Sequence, residues 1–241
     1  MQLREVVSRS VAFRKRLMRL TVVSVATMAA WGLVGQGTAL GQDDKQEATF
    51  RAKALEGHNA KRATLMNTPA LTLADATDPL NTGARDWALT MASTANFDHD
   101  PNNTKYGENI YVDYTTGNEA PDALATNAVN SWWSEKANYD YSNPGVQKNK
   151  DLVFGHFTQV AWVSTTRLGC GYATGPATID GMSYNAFYAV CRYDPPGNVS
   201  GQYGDNVQPP QPGKIASLFP FSPKGTRGPK QTLTLALLPK Q

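Results

Sequence analysis

Apolar residues recur at helical spacing in three long stretches of the chain. The first stretch runs from about residue 48 to Leu65. The second begins at Asp78-Pro79, an N-cap residue followed by proline at the first helical position, and continues to about Asn96. The third extends from Pro121 to Glu135, and a short helix is predicted over 155–162.

Three segments alternate like strands, at 107–114, 167–173 and 185–193, and a turn containing Gly and Pro joins the last two. Antiparallel pairing of the last two strands would set Cys170 against Cys191. Helices flanking a small sheet predict an α+β fold, a three-layer α-β-α sandwich. The length of 241 residues suits one such domain with tails.

Both ends of the chain are predicted to lie outside this domain. A basic segment ends at Arg19, an uncharged stretch follows, and small residues precede Gln42, so residues 1–41 are predicted to be a cleaved signal peptide. A signal anchor is the alternative, which the polar second half of the stretch disfavours. We place the domain at 42–204 and expect 205–241, rich in proline and lysine, to be a disordered basic tail.

Charge and cysteine content narrow the class of protein. Residues 42–204 hold 12 basic and 18 acidic residues, a net of −6, which argues against binding to nucleic acid. After cleavage no stretch could span a membrane. In a secreted chain the two cysteines are expected to form a disulfide; two free buried thiols are the alternative for a cytosolic protein.

Few residues carry obvious chemistry. The chain has three histidines, and His99 and His156 lie in polar segments that also contain Glu108 and Glu135. Imidazole and carboxylate together can bind a divalent metal or act as a general acid and base. No HExxH, CxxC or GxSxG pattern is present. From spacing alone, the simpler interpretation is favoured: His99 is a loop histidine, Glu108 a surface acid and Glu135 a charge at a helix end.

Longer motifs favour a functional role for these four residues. The segments GHFTQVAW (155–162) and YAVCRYDPPGNV (188–199), together with HNxxR (58–62) and YGENI (106–110), are similar to the motifs of the CAP superfamily of cysteine-rich secretory, antigen 5 and pathogenesis-related proteins. Ala189 departs from the larger apolar residue usual there. The resemblance implies a secreted, extracellular α-β-α domain. It also implies a cleft tetrad of two histidines and two glutamates that can hold zinc or another divalent metal: His99, Glu108, Glu135 and His156.

Two further features concern ligands and modification. The loop YDYSNPG (139–145) resembles the aromatic loop of fungal sterol-binding CAP proteins, which implies that Tyr139, Tyr141 and Pro144 contact a sterol; an ordinary surface loop is the alternative. Val146 replaces an aromatic residue usual in those proteins. The sequon at Asn102 is a candidate glycosylation site.

The function expected from these observations is binding of a small hydrophobic ligand, a sterol or fatty acid, by a secreted protein with a metal-capable cleft. One alternative is a metal-assisted hydrolase or protease that uses the tetrad, although no nucleophile motif supports an enzyme. The other is an extracellular defence or interaction protein with an unknown protein partner.

Overall fold

The computed structural model describes residues 44–147, 149 and 151–212. The predicted signal peptide lies outside these residues. In chain order the elements are α1 (Asp44–Arg62), β1 (Thr72–Leu73), α2 (Pro79–Thr94), β2 (Gly107–Thr115), α3 (Pro121–Ser134), a 3-10 helix (Glu135–Asn138), α4 (Gly155–Ala161), β3 (Arg167–Ile179), β4 (Met182–Asp194) and α5 (Tyr203–Asn206).

The strands form a sheet in the order β1-β3-β4-β2, in which β1 runs parallel to β3 and the other pairs are antiparallel. Alternate side chains of the sheet enter two separate clusters. One cluster packs against α1 and α3 and includes Tyr111 and Trp132; the other packs against α2 and includes Ile110 and Met91. The predicted α-β-α sandwich is therefore confirmed.

Helix α2 begins as its sequence predicts. The Asp78 carboxylate accepts a hydrogen bond from Leu80 N at 2.9 Å, and Pro79 occupies the first turn. The helix ends at Ala95, whose φ of 50° is left-handed. The chain then turns back over the helix, where Trp87 Nε1 donates to Asp98 O at 2.9 Å. This contact places the segment that carries His99 beside the sheet.

Strands β3 and β4 form a hairpin longer than the sequence indicates. Cys170 pairs with Cys191 in its register, and the two are bonded with a Cα–Cα distance of 4.1 Å, so the predicted disulfide is confirmed. The predicted Gly/Pro turn is wrong, because Pro176 lies within β3 and the turn is Asp180-Gly181. Proline is tolerated there because β1 covers only the first two residues of that edge of β3.

The predicted start of a disordered tail at Asp205 is too early. Residues 205–212 return to the end of α1: Met66 N donates to Pro209 O, and Gln211 N donates to Thr64 O, both at 2.9 Å. Val207 is buried in a cluster with Leu65. Backbone pairing and apolar burial therefore hold this segment to the domain. The tail from 213 onward lies outside the described residues.

Candidate functional site

The first pair of the predicted tetrad is His156, in the first turn of α4, and Glu135, the first residue of the 3-10 helix that follows α3. Glu135 Oε2 accepts hydrogen bonds from the backbone N–H groups of His156 (2.9 Å) and Phe157 (3.3 Å). Its Oε1 lies 2.7 Å from His156 Nδ1. A carboxylate only accepts, so Nδ1 donates, and in the neutral ring this leaves Nε2 as the acceptor. His156 Nε2 is buried and has no hydrogen-bond partner.

The second pair is His99 and Glu108. His99 Nδ1 lies 2.9 Å from Glu108 Oε1, which also accepts from Asp100 N at 3.1 Å. Glu108 is near the start of β2, and His99 is in the segment that follows α2. As in the first pair, the carboxylate fixes the donor at Nδ1, and the buried Nε2 atom of His99 has no partner.

Strand β2 contacts both pairs through consecutive residues. Glu108 binds His99, and Asn109 Nδ2 donates to His156 O at 3.1 Å. The same Nδ2 donates to Tyr193 Oη at 3.0 Å, and that hydroxyl lies 2.8 Å from His58 Nε2. The structure thus connects the four predicted residues through β2 as two separate His–Glu pairs.

His58 is fully buried and takes a structural role. Its Nδ1 donates to Ala54 O at 2.7 Å, so its Nε2 accepts from the Tyr193 hydroxyl. The pKa of His58 is lowered from 6.5 to about 4, chiefly by burial and to a smaller extent by nearby Arg62, whereas the hydrogen bond to Ala54 O acts in the opposite direction. The ring is therefore neutral at physiological pH, with both nitrogens engaged.

A cavity of about 350 Å³ opens beside the second pair. His99 and Glu108 line it, together with the segment that follows His99, Gln159 and the turn after β4. His156 and Glu135 are not among its lining residues. This cavity therefore borders the His99–Glu108 pair of the tetrad.

Hydrogen bonds engage the carboxylates of the tetrad. All four carboxylate oxygens of Glu108 and Glu135 accept hydrogen bonds, so in this structure these residues orient the imidazoles. The part of the chain that the structure describes contains no group of three or more His, Cys, Asp or Glu arranged to hold a metal, and metal binding by the tetrad stays a prediction. Within the tetrad, the ring nitrogens without a hydrogen-bond partner are the two Nε2 atoms.

Comparisons with known proteins identify the family. The sequence pattern of the cysteine-rich secretory protein family, CAP, matches residues 55–193. The human Golgi-associated plant pathogenesis-related protein 1 is 33% identical over 168 residues, which cover 67% of this chain and 94% of that protein. The chain belongs to the CAP family.

Two fungal proteins are also similar to this chain. Protein PRY2 of Saccharomyces cerevisiae is 35% identical over 161 residues, covering 66% of this chain and 41% of that protein. Secreted protein RBT4 of Candida albicans is 35% identical over 180 residues, covering 73% and 42%. The chain thus spans about half the length or less of these fungal relatives.

Solved CAP structures support the fold. The crystal structure of NaASP2 with Zn²⁺ matches with a TM-score of 0.52 at 22% identity, covering 70% of this chain and 90% of that one. Across residues 44–147, 149 and 151–212, no helix is both long and apolar enough to cross a membrane.

The predicted ligand loop is packed more tightly than expected. Tyr139 is 8% exposed, and its ring contacts Tyr141, Phe154 and Phe157 at centroid distances of 4.9, 5.4 and 5.6 Å. Burial raises the pKa of Tyr139 to about 12. Tyr139 is thus largely part of the core, whereas Pro144 is exposed and Tyr141 half-buried, and contact of these three residues with a sterol stays a prediction.

A second sequon, Asn198-Val199-Ser200, differs from that at Asn102 in accessibility. Asn102 is exposed in the segment after His99, and its glycosylation stays a prediction. Asn198 is held by the fold, because its Nδ2 donates to Gly155 O at 2.9 Å and its Oδ1 accepts from Thr158 Oγ1 at 2.6 Å.

Sequence reasoning missed Arg192. This buried residue of β4 donates to Glu108 through Nε (3.3 Å) and to Asp100 through Nη2 (2.5 Å). A register that pairs Glu108 with Arg192 would have found it, because directly opposed residues share a face of the sheet.

Proposed function

We propose that this protein is a secreted CAP binding protein whose cleft holds one divalent cation on the Nε2 atoms of His99 and His156. The observation that carries the proposal is the pair of buried Nε2 atoms without hydrogen-bond partners. Buried polar atoms in native proteins are rarely left unpaired, and a cation would give both nitrogens a partner.

The chemistry of the donors supports zinc. Each Nδ1–H donates to a carboxylate, which fixes the tautomer and makes Nε2 a better ligand. Imidazole nitrogen is a common zinc ligand, and two imidazoles would leave two positions of a tetrahedral site for water. NaASP2, a protein of the same fold, was solved with Zn²⁺, which makes zinc the first ion to test.

The hydrolase alternative has less support. A bound zinc ion would supply a Lewis acid and an acidified water. A hydrolase of this type also needs a general base, and hydrogen bonds already engage both carboxylates of the tetrad.

Secretion of this protein is part of the proposal. Among the relatives, RBT4 is named a secreted protein.

Calorimetry with zinc tests this function. We expect the protein to bind one zinc ion, and the His99→Ala, His156→Ala double variant to lose binding. Affinity should weaken as pH falls, because protons compete for Nε2. His58→Gln is the matched control, since it removes the third histidine of the chain and should leave zinc binding in place. A wild-type protein that takes up no zinc, or a double variant that binds as wild type does, would contradict the proposal.

We propose a small hydrophobic ligand, a sterol or fatty acid, as a second candidate. The supporting observation is apolar surface on the segment around the predicted loop: Val146 is 48% exposed and Leu152 is 40% exposed, and Pro144 is exposed as well. Burying such side chains against a ligand is favourable by about 25 cal/mol per Å² of apolar surface.

The hydrophobic candidate is tested by equilibrium binding of fluorescent cholesterol and of palmitate. The Val146→Ser, Leu152→Ser variant should bind at least about tenfold more weakly, because a ligand loses apolar contact area. Met182→Ser is the matched control, since Met182 is 58% exposed on the β3–β4 hairpin. Equal binding by the loop variant and the control variant would count against this candidate.

A further inference from the structure

The buried side chain of Arg192 connects the two segments that carry His99 and Glu108. Arg192 is 7% exposed and donates to Glu108 on β2 and to Asp100 in the segment after α2. These are its ion pairs within the described residues, at 3.3 and 2.5 Å. The guanidinium group can make both contacts at once because its donors form a rigid, planar fork.

The contact bears directly on the orientation of His99. Glu108 Oε1 accepts from His99 Nδ1 and from Asp100 N, which leaves Oε2 to Arg192. Arg192 therefore binds both the Glu108 carboxylate, which orients the imidazole, and Asp100, which follows His99 in the chain. Without Arg192, Asp100 would have no ion-pair partner among the described residues, and Glu108 would keep only His99.

The other half of the cleft achieves the same result differently. Glu135 Oε2 is held by the backbone N–H groups of His156 and Phe157 at the start of α4. Within the described residues its one ion pair is with His156 itself. Arg192 thus does for Glu108 what the backbone of α4 does for Glu135.

The opposing helix leaves space for this arginine. A Cβ atom built at Gly83, in the interior of α2, would overlap Arg192 Nη1. Glycine is an unfavourable residue inside a helix. The position is explained if the space above it is required by the guanidinium group.

We propose that Arg192 is a positioning residue that fixes Glu108, and through it the His99 imidazole, with Nε2 free to bind a ligand. The proposal rests on the proposed metal-binding function for its consequence, a weaker ion site when Arg192 is displaced. Its structural part, the orientation of His99, can be measured without a metal.

The experiment compares Arg192→Met, Arg192→Lys and Gly83→Ala with wild type. The first readout is the NMR signal of the hydrogen-bonded imidazole N–H in protein labelled with ¹⁵N-histidine, which contains three histidines to assign. We expect Arg192→Met to lose or broaden the His99 signal and to keep that of His156. Zinc affinity by calorimetry should fall at least about tenfold, and Arg192→Lys should recover part of both readouts because it restores the charge without the fork.

Two control variants separate positioning from general damage. Arg167→Met removes an arginine of β3 that also pairs with two carboxylates, Asp78 and Asp194, and it should change neither readout. Thr82→Ala matches Gly83→Ala on an exposed position of the same helix. If Arg192→Met fails to fold, Gly83→Ala decides, since it displaces the guanidinium group without removing a charge.

A His99 signal unchanged in both Arg192→Met and Gly83→Ala would overturn the proposal, as would an equal loss of the His99 and His156 signals. If wild type binds no zinc, the proposed metal function fails, and the N–H signals still decide whether Arg192 positions His99.

Discussion

At the scale of single residues, we expect His58 to make the stability of the protein sensitive to acid. Its pKa is lowered from 6.5 to about 4, chiefly by burial, so between these pH values the unfolded chain binds a proton that the folded chain does not. The folded state therefore loses stability as pH falls through this window, by up to about 3 kcal/mol.

Urea unfolding at pH 7 and at pH 5 measures this effect. We expect wild type to lose more stability between these pH values than the His58→Gln variant, because glutamine takes up no proton in this range. Equal losses in the two proteins would show that other groups cause the acid sensitivity.

The residues of the cleft show what the sequence can predict and what it cannot. Motifs locate His99, Glu108, Glu135 and His156, but they do not say which imidazole nitrogen faces a carboxylate. That choice depends on side-chain orientation, which local sequence does not encode. The sequence does not indicate the role of Arg192, because its contact with Glu108 depends on the register between two strands and joins residues 84 positions apart.

At the scale of elements, β3 explains how closely the layers approach. Gly169, Gly171 and Gly175 lie on the face of β3 that meets α2, and a Cβ atom at Gly171 would lie 2.5 Å from Arg85 Cα. The helix therefore packs directly on the strand backbone. In the sequence these glycines are consistent with a bulge or with close backbone approach, and only the packing of α2 distinguishes the two.

Element boundaries were predicted best where local chemistry sets them. The cap at Asp78 and the proline that follows fix the start of α2, and Pro121 fixes that of α3. The ends of β3 and β4 were missed because their partly exposed outer residues lack a strong alternation and are held by pairing with each other. The two-residue strand β1 is likewise defined by its partner.

At the scale of the whole molecule, the segment after β4 packs against the loop after α4 and against the end of α1. Asn206 O accepts from Val163 N at 2.9 Å, and its Oδ1 accepts from Ser164 N at 3.0 Å. Val207 is 3% exposed among the aromatic residues of the α4 region. Proline-rich composition predicted disorder here, and long-range contacts override it.

Two truncations test how much this segment stabilises the domain. Removing residues 205–241 should lower the urea midpoint relative to removing residues 213–241, and the difference between the two chains isolates residues 205–212. We expect the free energies of unfolding of the two truncated chains to differ by about 3 kcal/mol, because residues 205–212 bury Val207 and form hydrogen bonds to the loop after α4 and to the end of α1. Val207→Ala in the full chain should reproduce about 2 kcal/mol of it. Equal midpoints for the two truncated chains would show that residues 205–212 lie against the domain without stabilising it, and Val207→Ala would then leave the midpoint unchanged as well.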